Sequence, residues 1–294
     1  MNPFFVPGSQ PKQSEVTLIL LRDKHHTTCN GLQIQNFALT EITAGFSDPG
    51  APQVITLIGG GGKTSLLHLW ARCLKENGFP VVTTTTTKLC SNTSPTGFSW
   101  APADNLPAAK AWIQKSIHTD EILTLIGGHL PAEGKAFGVP ADWIDQLCQD
   151  YPEIIFLVEG DGSAGRSLKG HLAHEPVIPA STSLLIPVVG LDVLGQPLNS
   201  EQVHRPEVLS GITGAHLGAP IEDSTILAAL LNEKGYLQQT PEKSAVLPWL
   251  NKLETFHLQK AGLQLSQQLL AARHPQIRSV VAGSIHQNCF VRLS

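Results

Sequence analysis

The sequence predicts an α/β fold, a mostly parallel, doubly wound sheet, and three observations carry that prediction. Short apolar, β-rich runs alternate with stretches of helical spacing about seven or eight times, as in a parallel sheet covered by helices on both faces. Ile154 to Val158 is apolar throughout, which suits a strand buried on both sides. Gln53 to Leu67, Q-V-I-T-L-I-G-G-G-G-K-T-S-L-L, reads as strand, glycine loop and helix in direct succession.

Composition bounds the rest. With 294 residues, 41% hydrophobic and 15% charged, the chain can bury the core of one large domain or two small ones. A formal charge of −4 leaves no basic footprint for nucleic acid and no polybasic patch for a membrane. The five cysteines include no C-x-x-C pair, as expected of free thiols in a reducing compartment. No apolar run approaches the ~18 residues of a membrane span. Met1 to Lys12 lacks the charged and apolar regions of a signal peptide, so the expected location is cytoplasmic.

Taken in order, Met1 to Ser14 reads as a loose tail and Val16 to Leu21 as a strand. Asn30-Gly31 is a hairpin turn signal before Leu32, Ile34 and Phe37. Residues 1–35 are therefore expected to form a tail and a small N-terminal β-hairpin extension, and residues 36–294 the main domain. Phe37 to Ala44 has helical spacing, and Ser47 to Pro52 is a loop that delivers the chain to the first core strand.

Val54 to Ile58 is that strand, and the loop after it is of the phosphate-binding (P-loop) type. Gly59, Gly60, Gly61 and Gly62 lack Cβ atoms, so backbone N–H groups can turn inward on an anion, and the helix starting at Lys63, Thr64 and Ser65 adds its positive end. Lys63 is expected at the β- and γ-phosphates and the Thr64 hydroxyl on Mg²⁺. The glycine that would open G-x-x-x-x-G-K-[ST] falls on Leu57, so the loop is the shorter G-x-x-G-K-T, resembling that of Mur-ligase ATPases.

The next strand, from Pro80, runs into five threonines and Lys88. Thr is a good strand former, yet hydroxyls at the carboxyl end of a neighbouring strand lie where open α/β sheets bind ligands, so Thr86, Thr87 or Lys88 is a site candidate. Asn105 to Ile117 reads as a helix, Glu121 to Ile126 as a strand and Ala141 to Gln149 as a helix. The apolar strand Ile154 to Val158 closes on Glu159-Gly160-Asp161-Gly162. Glu159 and Asp161 share a face in extended backbone, one to hold Mg²⁺ opposite Thr64 and the other to orient a water.

Residues 160–210 are rich in Gly, Pro and His, and so many polar and turn residues are not expected in a core. Arg166 and Lys169 are candidates to neutralise phosphate charge. His171, His174, Glu175 and His204 are candidates for binding or proton transfer. They lack the i, i+4 histidine pair of zinc peptidases. Further on come a helix over Glu222 to Asn232 and a strand over Ala245 to Leu250, which ends in Asn251-Lys252-Leu253-Glu254. That tetrad resembles the N-K-x-D base-binding motif of GTPases, with Glu254 in the acidic position, and marks Asn251 and Lys252 for base recognition without assigning guanine. A helix over Glu254 to Arg273 and a strand over Ser279 to Ala282 finish the sheet, with Gly283-Ser284 as a base-side loop.

The ordered series I-T-L-I-G-G-G-G-K-T, V-V-T-T-T-T-T-K, L-V-E-G-D-G-S-A-G-R-S-L-K, A-H-E-P-V-I-P, V-V-G-L-D-V-L-G-Q-P-L and V-H-R-P-E resembles the YqeC family from about Phe37 to Ser294. That resemblance implies a P-loop NTPase that serves maturation of a selenium-dependent molybdenum hydroxylase, with the hydroxylase or its cofactor as partner. The expected ligands are Mg²⁺ and ATP or GTP. Two other readings stay open: a nucleotide-switched chaperone or carrier for cofactor insertion, and an ATP-dependent ligase of the Mur kind.

Overall fold

The computed structural model describes residues 27–29, 32–37, 53–87, 89–90, 95–116, 119–127 and 135–294. Lys88 and the strand expected at Val16 to Leu21 lie outside the described residues, as does the run after Phe37 expected to be helical.

The fold is a doubly wound α/β sheet. Its first core strand, β3 (Val54–Gly59), is flanked by β11 (Leu184–Gly190) and β9 (Ile155–Glu159), both parallel to it. Beyond β9 come β4 (Val81–Thr85), β7 (Ile122–Gly127) and the edge strand β6 (Phe98–Ala103), all parallel. Beyond β11 lie β14 (Trp249–Asn251) and β15 (Val280–Ser284), also parallel. The direction then reverses through β16 (Cys289–Leu293) and the hairpin of β2 (Leu32–Phe37) and β1 (Thr27–Cys29). Off this path, β5 (Leu89–Cys90) pairs with β8 (Lys135–Ala136), β10 (Leu168–Lys169) with β12 (Val203–His204), and β13 (Ala245–Val246) with β11. The Asn30-Gly31 hairpin thus extends the main sheet, with Cys29 paired to Leu32 across its turn.

Side chains alternate between the two faces, as the two-residue period of a strand requires. Ile55 and Leu57 pack with Leu66, Leu67, Trp70 and Leu74 of helix α1 (Lys63–Glu76). On the opposite face Val54, Phe156 and Val158 meet α2 (Leu106–Ser116) and α3 (Ala141–Asp150) through Ile113, Ile144 and Leu147. Ile58, Leu185 and Val189 meet α4 (Pro206–Thr213), α5 (Asp223–Leu231) and α6 (Phe256–Ala271) through Leu209, Ile226 and Leu265. No helix among the described residues is long and apolar enough to cross a membrane.

Two sequence expectations change, and some elements escape the pattern. The strand expected over Ala245 to Leu250 is broken: Ala245 and Val246 pair with Leu184 and Leu185, and pairing resumes at Trp249 with Val188. Leu247 still donates to the Leu185 carbonyl there, but Pro187 has no N–H to donate in return. Gly283 and Ser284 belong to strand β15 and pair with β16, so they are sheet and not loop. Strand β6 escapes the pattern because it is a mixed edge strand carrying Pro102. Helix α4 escapes it too, although Pro206 at its start and Gly214 just past its end are ordinary helix punctuation.

Candidate functional site

The carboxyl ends of β3, β9, β11 and β14 converge on the glycine loop, where an open α/β sheet offers its ligand crevice. Leu57, in the place of the missing consensus glycine, is fully buried in β3 and registered against Glu159 and Ile186. The strand continues straight through that position, and the turn begins at Gly59.

The glycines are required by what surrounds them. Gly61 has φ +77° and a Cβ there would stand 2.3 Å from the Gly190 nitrogen; Gly62 has φ +125° and its Cβ would meet the Asn251 carboxamide at 2.6 Å. The loop is therefore clamped between the segment around Ser167, the end of β11 and the end of β14.

That clamp alters the expected anion cradle. The Gly60 amide donates to the Val188 carbonyl and the Gly61 amide to the Arg166 carbonyl, both at 2.9 Å. The Gly59 amide donates to both carboxylate oxygens of Asp161, at 2.9 and 3.0 Å. The first bond inside α1 runs from Leu66 N to Gly62 O, so the amides of Lys63, Thr64 and Ser65 precede it and point out of the helix end. No acidic residue sits in the first turn to offset the helix dipole. The early glycines thus build the clamp, and the anion-facing amides are those of the first helical turn.

Lys63 is 3% exposed and folds back: its ammonium donates to the Gly59 carbonyl and lies 3.2 Å from Asp161 Oδ1 and 3.8 Å from Glu159 Oε1. The Thr64 hydroxyl donates to Glu159 Oε2 at 2.8 Å. Burial pushes the Glu159 carboxyl above the usual range, with Lys63 and Thr64 opposing it. Asp161 is the reverse case. Burial alone would raise it, but Lys63, His171 and Lys169 outweigh that cost and hold it well below the usual range.

Residues 160–210 contain a buried charged layer, which corrects the expectation that they stay out of the core. Lys169 is fully buried between Asp161 (3.3 Å) and Glu175 (3.2 Å), and it also donates to the Gly162 carbonyl. His171 Nε2 lies 2.5 Å from Asp161 Oδ2, and its ring stands edge-on to Tyr236. Each buried charge has an opposite partner, the condition under which burial of charge is tolerated. Arg205 pairs with Glu175 at the outer end of the layer. Tyr236 is fully buried, accepts from the Lys169 amide and fills the space where a Gly59 side chain would go. Tyr236 and Ser167 had no recognisable sequence signal, because their contacts with the loop come from distant positions in the chain.

The other candidates separate. Arg166 contributes its carbonyl to the loop, while its exposed guanidinium bonds the Ser200 carbonyl. His174 is exposed. Among the described residues no group of three or more His, Cys, Asp or Glu side chains is set to hold a metal. The threonine hydroxyls are engaged within the sheet: Thr83 with Thr124, Thr84 with the Leu125 carbonyl, Thr85 with the Glu159 carbonyl. Thr86 donates to the Val177 carbonyl, and the Thr87 amide to the Thr85 hydroxyl.

The tetrad after β14 braces the loop from the other side. Asn251 donates to the Gly61 carbonyl at 2.6 Å and accepts from the Ile285 amide at 2.9 Å. Lys252, in left-handed backbone at φ 66°, reaches Ser167 Oγ at 2.6 Å and Asp192 at 2.8 Å. Glu254 Oε1 accepts from the Ser284 hydroxyl at 2.6 Å.

Residues 55–207 match the family model described as YqeC protein. The chain is also 31% identical over 239 residues to the Escherichia coli (strain K12) protein YqeC, an alignment covering 81% of this chain and 89% of that one. The matched span holds the glycine loop, the threonine strand, the Glu159 strand and the buried charged layer, and the chain belongs to the YqeC family.

Proposed function

We propose that the chain binds a nucleoside triphosphate with Mg²⁺ at the head of α1 and hydrolyses it. The observation that carries this reading is the 2.8 Å contact between the Thr64 hydroxyl and Glu159 Oε2, beside outward-facing amides at the start of a helix. A hydroxyl and a carboxylate oxygen set side by side are hard donors suited to Mg²⁺, which keeps several waters and takes the rest of its shell from phosphate. Bound there, Mg²⁺ would draw charge from the β- and γ-phosphate oxygens.

The protein's own groups then have separate tasks. The amides of Lys63, Thr64 and Ser65 would hold phosphate oxygens with the helix dipole behind them. The Lys63 ammonium, now on Gly59 and Asp161, would swing to the phosphates, where its charge is needed most. Asp161 has its oxygens committed to Gly59, Lys63, Lys169 and His171, so it anchors the loop and the metal role falls to Glu159. The wider setting, service to a selenium-dependent molybdenum hydroxylase, rests on the family resemblance and not on this geometry.

Release of phosphate from ATP or GTP, with and without Mg²⁺, tests the reading on the wild type and on Thr64→Val. Metal-dependent turnover that Thr64→Val removes is expected; equal turnover in both proteins would refute the assignment.

A further inference from the structure

A cavity of about 630 Å³ opens beside the first turns of α1, and Gly61, Gly62 and Ser65 line it together with Asn251, Lys252 and Glu254. Its volume lies within the ordinary range for small-molecule sites. Ser65, whose amide belongs to the proposed phosphate site, shares this cavity with the tetrad. A nucleotide anchored there would therefore carry its base toward the tetrad.

The chemistry of the tetrad is selective. Asn251 and Lys252 have their polar atoms tied to the loop carbonyl, Ile285, Ser167 and Asp192, so they shape the wall and leave little for a ligand to read. Glu254 differs. It contributes the only carboxylate among the lining residues, it is exposed, and Ser284 holds its Oε1, while no hydrogen bond among the described residues takes Oε2. An ionised carboxylate only accepts. Leu69, Ile285 and the alkyl stem of Lys252 supply apolar surface for a flat ring.

We infer that this cavity receives the nucleotide base and that Glu254 selects guanine over adenine, an inference that rests on the nucleotide reading above. Guanine presents two donors side by side, N1–H and the exocyclic amine, which one carboxylate can accept together. Adenine presents its amine next to the N1 lone pair, which would face the carboxylate and repel it. The paired, charge-assisted bonds to guanine, set against the repulsion from the adenine lone pair, are the basis for the preference.

Calorimetric titration of the whole protein with GTP, ATP, XTP and inorganic triphosphate, each with Mg²⁺, tests the inference. GTP is expected to bind roughly 10- to 100-fold more tightly than ATP and more tightly than inorganic triphosphate. In Glu254→Gln the amide oxygen keeps the Ser284 bond and the amide nitrogen becomes a donor. That variant should lose affinity for GTP and gain it for XTP, whose C2 carbonyl accepts, with an unchanged melting temperature in the absence of ligand. Equal binding of GTP and ATP, or a Glu254→Gln variant with unaltered base preference, overturns the inference while leaving the phosphate site standing. Binding of none of the four ligands overturns the nucleotide reading as well.

Discussion

Asp161 accepts the Gly59 amide on both of its carboxylate oxygens, so the turn that begins the glycine loop hangs on the strand that carries Glu159. The same carboxylate faces Lys63, Lys169 and His171. It is the hub through which residues 160–175 set the position of the loop.

Asp161→Asn removes that charge and leaves two buried ammonium groups short of a partner. Breaking a buried ionic cluster on one side costs about 3–5 kcal/mol. Urea unfolding should show a loss of this order. Glu159→Gln provides the contrast: burial already disfavours its charged form, so the variant should unfold at the same urea concentration as the wild type or a higher one, yet lose Mg²⁺-dependent nucleotide binding.

Lys63→Ala is expected to lower stability as well as triphosphate affinity, because Lys63 is buried against Asp161. Truncation there should cost about 1–3 kcal/mol by uncovering buried polar groups. Thr64 is exposed and makes a single bond to Glu159, so Thr64→Val should cost less, about 1 kcal/mol. Paired urea curves distinguish the two.

Gly61→Ala places a methyl 2.3 Å from the Gly190 nitrogen in left-handed backbone. The backbone term alone is about 1–3 kcal/mol, and the loop must also move away from β11. Lower stability together with loss of nucleotide binding is the expected outcome, whereas Gly97→Ala, where φ is also positive but nothing lies within 4 Å, should lose stability alone.

Stability should fall in two separate acid windows. Burial, with Arg72 adding to it, pushes His68 from 6.5 down to about 4, so the unfolded chain takes up this proton more readily. The His68 contribution is complete above pH 6.5 and is lost as pH falls toward 4, and His68→Gln should flatten that limb. Glu175 behaves differently. Burial would raise its carboxyl, but Arg205 and Lys169 hold it below 4.5, so its contribution is present above that value and is lost as pH falls through the lowered one. Glu175→Gln should flatten only the more acid limb, read as the urea midpoint against pH.

The strand, loop and helix around Gly59 were legible because periodicity and glycine placement are local properties. The apolar run before Glu159 was legible for the same reason. The fate of Lys169 and His171 was not: a run of Gly, Arg, Lys and His looks solvated until Asp161 and Glu175 arrive as partners from the fold. The glycine amides misled in a related way. Their spacing fits an anion cradle, but Val188 and Arg166 reach two of them first. The tetrad at Asn251 was visible as letters, whereas its bracing of Gly61 required strand β14 to lie beside β11. Strand β16 has no apolar–polar alternation to read, because Phe290, Val291 and Leu293 are all buried and Arg292 alone is exposed.

The most direct measurement is the melting temperature of the wild type and of Thr64→Val, titrated with GTP and with ATP in the presence of Mg²⁺. Ligand at a hundred times its Kd stabilises a folded protein by about 2.7 kcal/mol. A concentration-dependent rise is expected in the wild type, one that needs Mg²⁺ and disappears in Thr64→Val. A wild-type melting temperature that no nucleoside triphosphate moves, or a shift that survives in Thr64→Val unchanged, would contradict it.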